Sequence, residues 1–197
     1  MNTVVIKYNA GNIRSVEFAL ERLGIFPIFS DDAETILKAD RIIFPGVGEA
    51  SSAMEYLKSR QLDTVIKAAK QPFLGICLGM QLMCSHSEEN DTACLGIFEE
   101  PVKRFSPEDK KLKVPQIGWN TISSLKTDLF NGVQENSYCY FVHGFFASVG
   151  DHTIAATDYG GWYSAALHKH NFYGVQFHPE KSAATGSQIL ENFLKIN

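Results

Sequence analysis

A thiol, an imidazole and a carboxylate are the side chains from which acyl transfer through a thioester is assembled. This sequence carries one of each in suggestive surroundings, at Cys77, His178 and Glu180. Cys77 lies in Gly75-Ile76-Cys77-Leu78-Gly79-Met80-Gln81, directly after Gln71-Pro72-Phe73-Leu74. An apolar run entering Gly-x-Cys-x-Gly reads as a buried strand turning sharply into a helix, because the flanking glycines permit a bend that a Cβ would crowd. Cys77 would stand at the tip, where the positive end of the helix favours a thiolate and the Leu78 N–H is placed to bind an oxyanion. Taken alone, the segment is also a tight turn around a packed cysteine.

The partner side chains lie far downstream, in Gly174-Val175-Gln176-Phe177-His178-Pro179-Glu180-Lys181-Ser182. In an extended segment His178 and Glu180 share a face, so the carboxylate can orient the imidazole while the imidazole faces Cys77. His-Pro-Glu by itself is an ordinary strand-ending turn. Paired with a cysteine at a strand-to-helix turn in the same sheet, it completes a nucleophile, a base and an orienting group.

The elements needed to position these groups are legible as alternating strands and helices. Thr3 to Tyr8 is an apolar, β-branched run broken by the turn residues Asn9 to Asn12, and apolar residues at helical spacing follow from Ile13 to Leu23, with Gly24 as the stop. Pro27-Ile28-Phe29 is a short strand, Ser30-Asp31-Asp32 caps a helix through about Lys38, and Arg41 to Phe44 is a third strand ending in Pro45-Gly46-Val47-Gly48. Helices over 49–58 and 62–70 lead to the strand before Cys77. This alternation predicts a mostly parallel, doubly wound α/β sheet whose ligands bind at the carboxyl ends of the strands. The glycine loop at 46–48 falls there, either as a plain turn or as a backbone patch able to approach developing negative charge.

Beyond Ser85 the pattern changes to short, often alternating strands: 94–98, 119–122, 138–142, 153–157, 163–167 and 172–177. They predict an antiparallel extension of the sheet, and a helix from about Ala183 to Ile196 closes the chain. The polar loops 87–91 and 106–111 read as solvated rather than as binding sites.

A length of 197 residues with 45% hydrophobic content predicts one domain, residues 1–197. With 18 basic and 22 acidic residues, a net charge of -4 and no basic run longer than Lys110-Lys111, nucleic acid is not an expected partner. No apolar stretch approaches a membrane span and no basic leader precedes the first strand, so a cytoplasmic protein without a membrane partner is expected. The cysteines at 77, 84, 94 and 139 include no C-x-x-C pair, and His168 with His170 lacks acidic or thiol neighbours at ligand spacing. No metal and no other cofactor is expected.

Gly-Ile-Cys-Leu-Gly-Met-Gln, Pro-Gly-Val-Gly and Phe-His-Pro-Glu together resemble the class I (triad) glutamine amidotransferases. Tyr8 to Val16, Gly118-Trp119-Asn120, Tyr140-Phe141-Val142-His143 and His178 to Ser182 resemble in particular the branch serving imidazole glycerol phosphate synthase. The resemblance spans essentially the whole chain. It implies glutamine as substrate, Cys77, His178 and Glu180 as the triad, and an oxyanion held by the N–H of Leu78 and one from Gly46-Val47. It further implies Gly48, Gln81, Gly144 and Phe145 as glutamine-binding positions. The implied partner is a (β/α)8-barrel cyclase subunit in a heterodimeric synthase, faced by Asn12, Trp119, Tyr138, His143 and Lys181. Trp119 is otherwise read as a core aromatic, and Lys181 as a solvated charge. Two segments depart from the pattern. Gln116-Ile117 replaces His-Met, and Gly144-Phe145-Phe146 replaces Ser-Tyr-Tyr, removing hydroxyls while leaving backbone contacts available. Glutaminases of anthranilate or guanylate synthases, a free-standing cysteine peptidase or γ-glutamyl hydrolase, and a noncatalytic regulatory or binding subunit on the same scaffold are the alternatives.

Overall fold

The computed structural model describes residues 2–8, 13–106 and 112–196. The expected turn at Asn9 to Asn12, and Asn12 itself, lie outside the described residues, as does most of the 106–111 loop. Four parallel strands come first: β1 (Thr3–Ile6), β2 (Ile28–Ser30), β3 (Arg41–Gly46) and β4 (Phe73–Cys77). Helices α1 (Ile13–Arg22), α2 (Ala33–Leu37), α3 (Ala50–Ser59) and α4 (Leu62–Ala68) connect them, and α5 (Leu78–Met83) leaves β4 at Cys77. The short strands β5 (His86–Ser87), β6 (Thr92–Ala93) and β7 (Val102–Arg104) follow, then β8 (Gln116–Ile122), β9 (Ser137–His143) and β10 (Phe145–Ala147). The chain returns through β11 (Thr153–Asp158), β12 (Trp162–Lys169) and β13 (Phe172–Val175) and ends in α6 (Ala183–Lys195).

Among the described residues the central sheet has the order β11-β12-β13-β4-β3-β1-β2. β13 pairs parallel with β4, while β12 and β11 add the antiparallel extension. Each central strand is buried on both faces, so its run is continuously apolar and its alternation divides two cores. Val4, Ile6, Ile42, Phe44 and Phe73 face α3, α4 and α5, with Met54, Leu57, Ile66 and Met80 opposite them. Val5, Ile43, Leu74 and Ile76 face α1 and α6, against Val16, Leu20, Ile189 and Phe193. The capping expectation at the start of α2 is met by Asp32, whose carboxylate accepts from the Thr35 N–H at 2.8 Å.

Three differences from the sequence reading have physical causes. Residues 94–98 form no strand, because the N–H groups of Leu95, Gly96, Ile97 and Phe98 bond the carbonyls of Leu82, Met83 and Cys84 and so cap the end of α5. β8 and β9 do not extend the central sheet. They form a two-stranded ribbon of their own, tied to the sheet by the Ser123–Ala156 bridge. β5, β6, β7 and β10 make a small separate sheet of segments too short to show a period. No helix among the described residues is long and apolar enough to cross a membrane.

The tightest packing lies where α5 crosses β3. A Cβ on Gly79 would stand 1.8 Å from the Phe44 carbonyl oxygen, a backbone atom that cannot yield. Gly79→Ala is therefore expected to cost about 3 kcal/mol or more in unfolding free energy by denaturant titration. An unchanged midpoint would contradict this account of the crossing.

Candidate active site

Register brings the separated motifs together. In the parallel pairing of β4 with β13, Ile76 lies opposite Val175, and in that of β4 with β3, Cys77 lies opposite Gly46. Cys77 leaves the sheet one residue after Ile76, and His178 leaves it three residues after Val175. The glycine loop Gly46-Val47-Gly48 starts on the other side of the cysteine. Three chain segments thus meet at the carboxyl ends of adjacent strands, the usual ligand position of open α/β sheets.

Cys77 adopts φ 53°, ψ −111°, outside the regions favoured by residues with a Cβ. Such a conformation costs on the order of 1–3 kcal/mol and is held here by packing on both sides. Its sulfur lies 3.7 Å from the Val142 carbonyl oxygen and 3.7 Å from Gln176 Nε2, an amide donor able to stabilise a thiolate. Leu78 opens α5, so its N–H has no intrahelical acceptor.

His178 and Glu180 sit in the turn after β13. The Glu180 Oε1 atom is 2.8 Å from His178 Nδ1, with both side chains almost fully buried. Ser182 locks the turn, donating to the His178 carbonyl at 2.7 Å while its Oγ accepts from the Tyr140 N–H at 2.9 Å. With Nδ1 engaged by the carboxylate, Nε2 is left for Cys77. Burial alone would lower the His178 pKa, but the adjacent Cys77 sulfur and the Glu180 carboxylate outweigh it and raise the value to about 10. The surroundings therefore favour the imidazolium form of His178.

A cleft of about 230 Å³ opens over these groups. Cys77, His178, Leu78, Val47, Gly48, Gln81, Gly144, Phe145, His143 and Lys181 line it, and Gly46 lies just behind, against Leu78 and the N–H of Gly79. Two further lining residues had no role in the sequence reading. Glu89 belongs to the loop read as solvated. It folds back so that its carboxylate accepts from the Ala50 N–H at 2.8 Å, and burial raises its pKa. Val142 contributes backbone. Gln176, fully buried beside Cys77, carried only the signal of a polar residue inside an apolar strand end.

Of the five expected interface positions, Asn12 lies outside the described residues and the other four divide. Trp119 and Tyr138 are 52% and 61% exposed and share the outer face of the β8–β9 ribbon with Ile117, which settles Trp119 as a surface aromatic rather than a core one. Lys181 is exposed at the rim of the cleft. His143 departs from the expectation: strand alternation turns it to the inner face opposite Gln116, where it is 6% exposed. Away from the cleft, Glu99, Glu100 and His152 place possible metal-ligand atoms within 4.8 Å of one another. Both carboxylates are already engaged, Glu100 by a hydrogen bond with His152 Nδ1 and Glu99 by the Lys169 ammonium.

His178 and His143 should titrate in opposite senses. The raised His178 pKa makes its imidazolium stabilising, fully so below about pH 6.5 and lost as pH rises toward 10. His143 is pushed down to about 4, chiefly by burial, so stability drawn from its neutral form is lost as pH falls from 6.5 toward 4. Histidine NMR titration checks both shifts, and a His178 midpoint at or below 6.5 would contradict the ion pair.

The model of the family described as glutamine amidotransferase class-I matches residues 5–196. "Imidazole glycerol phosphate synthase subunit HisH" of Bacteroides fragilis (strain YCH46) is 55% identical over 196 residues, covering 100% of both chains. The protein of that name from Yersinia pseudotuberculosis serotype I is 44% identical over 198 residues, again covering 100% of both. Among solved structures, PurLQS from Thermotoga maritima shares the fold, with a TM-score of 0.72 at 18% identity, covering 98% of this chain and 97% of that one.

Proposed function

The chain belongs to the class-I glutamine amidotransferase family, and we propose that it is the glutaminase subunit of an imidazole glycerol phosphate synthase, with residues 1–197 acting as one catalytic domain. The observation that carries the chemistry is the convergence of Cys77, His178 and Glu180 in a cleft with two flanking backbone segments.

The Cys77 thiolate attacks the side-chain amide carbon of glutamine, and the negative charge that develops on the amide oxygen is met by the N–H of Leu78 and one from Gly46-Val47. Losing one such donor typically costs on the order of 100- to 1000-fold in rate. As the C–N bond breaks, the His178 imidazolium gives its proton to the departing nitrogen and ammonia leaves. A γ-glutamyl thioester remains on Cys77. His178, now neutral, takes a proton from water, the resulting hydroxide attacks the thioester, and glutamate departs as the thiolate re-forms. Glu180 holds the imidazole in the orientation both steps require. Gly48, Gln81, Gly144 and Phe145 hold the substrate. Ser-Tyr-Tyr is replaced at 144–146, so recognition there falls on the backbone and on Gln81.

Ammonia released into water is protonated and loses its nucleophilicity, so a synthase must pass it directly to its acceptor. The partner is a (β/α)8-barrel cyclase, and the products of the assembled enzyme are imidazole glycerol phosphate and an aminoimidazole carboxamide ribotide, in histidine biosynthesis. What supports a docking surface beside the cleft is the exposed Ile117, Trp119 and Tyr138 face of the ribbon, with Lys181 on the adjoining rim. Aromatic anchors of this kind dominate interface energetics.

Glutamate release should be slow for the chain alone and rise sharply with a cyclase subunit and its nucleotide ligand. Cys77→Ala should lower that release by about 1000-fold or more. Equal activity with and without partner would favour a free-standing hydrolase. Trp119→Ala should weaken the complex by about 2 kcal/mol, roughly 30-fold in Kd, without altering the isolated fold. An unchanged Kd would remove the ribbon from the interface.

A further inference from the structure

A chain of buried polar groups runs from the foot of the ribbon to the Cys77 sulfur, and only its last members touch the cleft. It begins at Gln116, 2% exposed and paired in register with His143. The Tyr163 hydroxyl lies 2.7 Å from the Gln116 side-chain amide and 3.1 Å from His143 Nε2. His143 Nδ1 is 2.7 Å from the Phe145 carbonyl oxygen, which also accepts from Gln81 Nε2 at 2.8 Å. Gln81 Nε2 donates in addition to Gln176 Oε1 at 2.9 Å, and Gln176 Nε2 faces Cys77 Sγ.

Proton counting fixes the orientations at the Phe145 end of this chain. A backbone carbonyl only accepts, so His143 must carry its proton on Nδ1 and Gln81 must turn its NH2 toward Phe145. The second Gln81 proton goes to Gln176 Oε1, which leaves the Gln176 NH2 for the sulfur and only the Gln81 carbonyl oxygen free for a ligand. At the other end, neutral His143 needs a donor for Nε2. Tyr163 faces Gln116 Oε1 and also meets the Thr157 side chain, but it has a single proton; given to His143 Nε2, that proton leaves the phenol oxygen to accept from Gln116, whose amide then presents its NH2 by rotation about the last torsion. Burial and the nearby His178 keep His143 neutral, consistent with this arrangement.

We propose that Tyr163 and His143 are positioning residues: the Phe145 carbonyl sets the Nδ1–H tautomer of His143, the Tyr163 hydroxyl fixes the ring by donating to Nε2, and the ring so held keeps the Phe145 carbonyl, and with it the Gln81 and Gln176 amides, in the orientation the cleft requires. Without the Tyr163 hydroxyl, Nε2 has no donor and the imidazole is held at Nδ1 alone. The ring can then shift, and the Phe145 carbonyl and Gln81 shift with it. The effect on glutamine binding rests on the glutaminase reading, whereas the Tyr163–His143 hydrogen bond does not.

The test is Tyr163→Phe in the full chain, which removes one oxygen and keeps the ring, beside Gln116→Leu, which leaves Tyr163 able to donate to His143. Nitrogen-15 NMR of histidine-labelled protein should show His143 as the Nδ1–H tautomer in all three proteins, with the Nε2 resonance moved upfield by an accepted hydrogen bond in the parent chain and in Gln116→Leu, and that shift lost in Tyr163→Phe. With the cyclase partner present, Tyr163→Phe should raise KM for glutamine about tenfold while kcat stays within about twofold, the share of one hydrogen bond. A parent His143 protonated on Nε2, or a Tyr163→Phe protein that keeps the parent Nε2 shift, would overturn the proposal. So would a lost Nε2 hydrogen bond with unchanged KM. If no form hydrolyses glutamine while the Nε2 hydrogen bond is still lost in Tyr163→Phe, the hold on His143 stands and the glutaminase reading falls.

Discussion

The site depends on one crossing, where the first turn of α5 passes over the end of β3 with nothing between the Gly79 backbone and the Phe44 carbonyl. That contact sets how close the helix start comes to the glycine loop. A side chain at Gly79 would lift α5, and one at Gly46 would strike the Tyr8 hydroxyl, the Gly79 N–H and Leu78. Two glycines facing each other across adjacent elements thus allow backbone donors from both to approach one point. Cys77 takes its left-handed conformation because the strand must end and the helix begin within that restricted space.

Electrostatics then assigns different tasks to two nearby histidines. His178 has a carboxylate on one nitrogen and the sulfur within reach of the other, so its charged form is favoured despite burial. His143 meets only a carbonyl and a phenol, neither of which compensates a buried charge, and it stays neutral. A charged acid–base group and a neutral structural one are therefore kept apart by burial, by the charges near each ring and by their hydrogen-bond partners.

Most of the central sheet is legible in the sequence because its strands are buried on both faces and punctuated by glycine, proline and caps. The runs before Cys77 and His178 are of this kind, and their parallel pairing explains why residues distant in sequence meet. The antiparallel half is harder to read. Residues 94–98 are as apolar as a strand, yet their N–H groups serve the end of α5, a tertiary use that periodicity does not encode. Glu89 looks like one more charge in a polar loop until the loop folds onto the start of α3. The resemblance placed His143 at the docking face, whereas its register partner Gln116 shows it to be inward. Gln176 and Tyr163 act through partners on other strands, so no local pattern marks them.

The whole reaction turns on the Cys77 sulfur being the atom that bonds to the substrate. A glutamine analogue with a diazoketone in place of the side-chain amide should occupy the same cleft and alkylate the nucleophile that would otherwise attack the amide carbon. Incubation of the full chain with this analogue, followed by peptide mapping, should find one adduct, on Cys77, formed more slowly as free glutamine is added. An adduct on another residue, or labelling of Cys77 that glutamine does not slow, would contradict that role for Cys77.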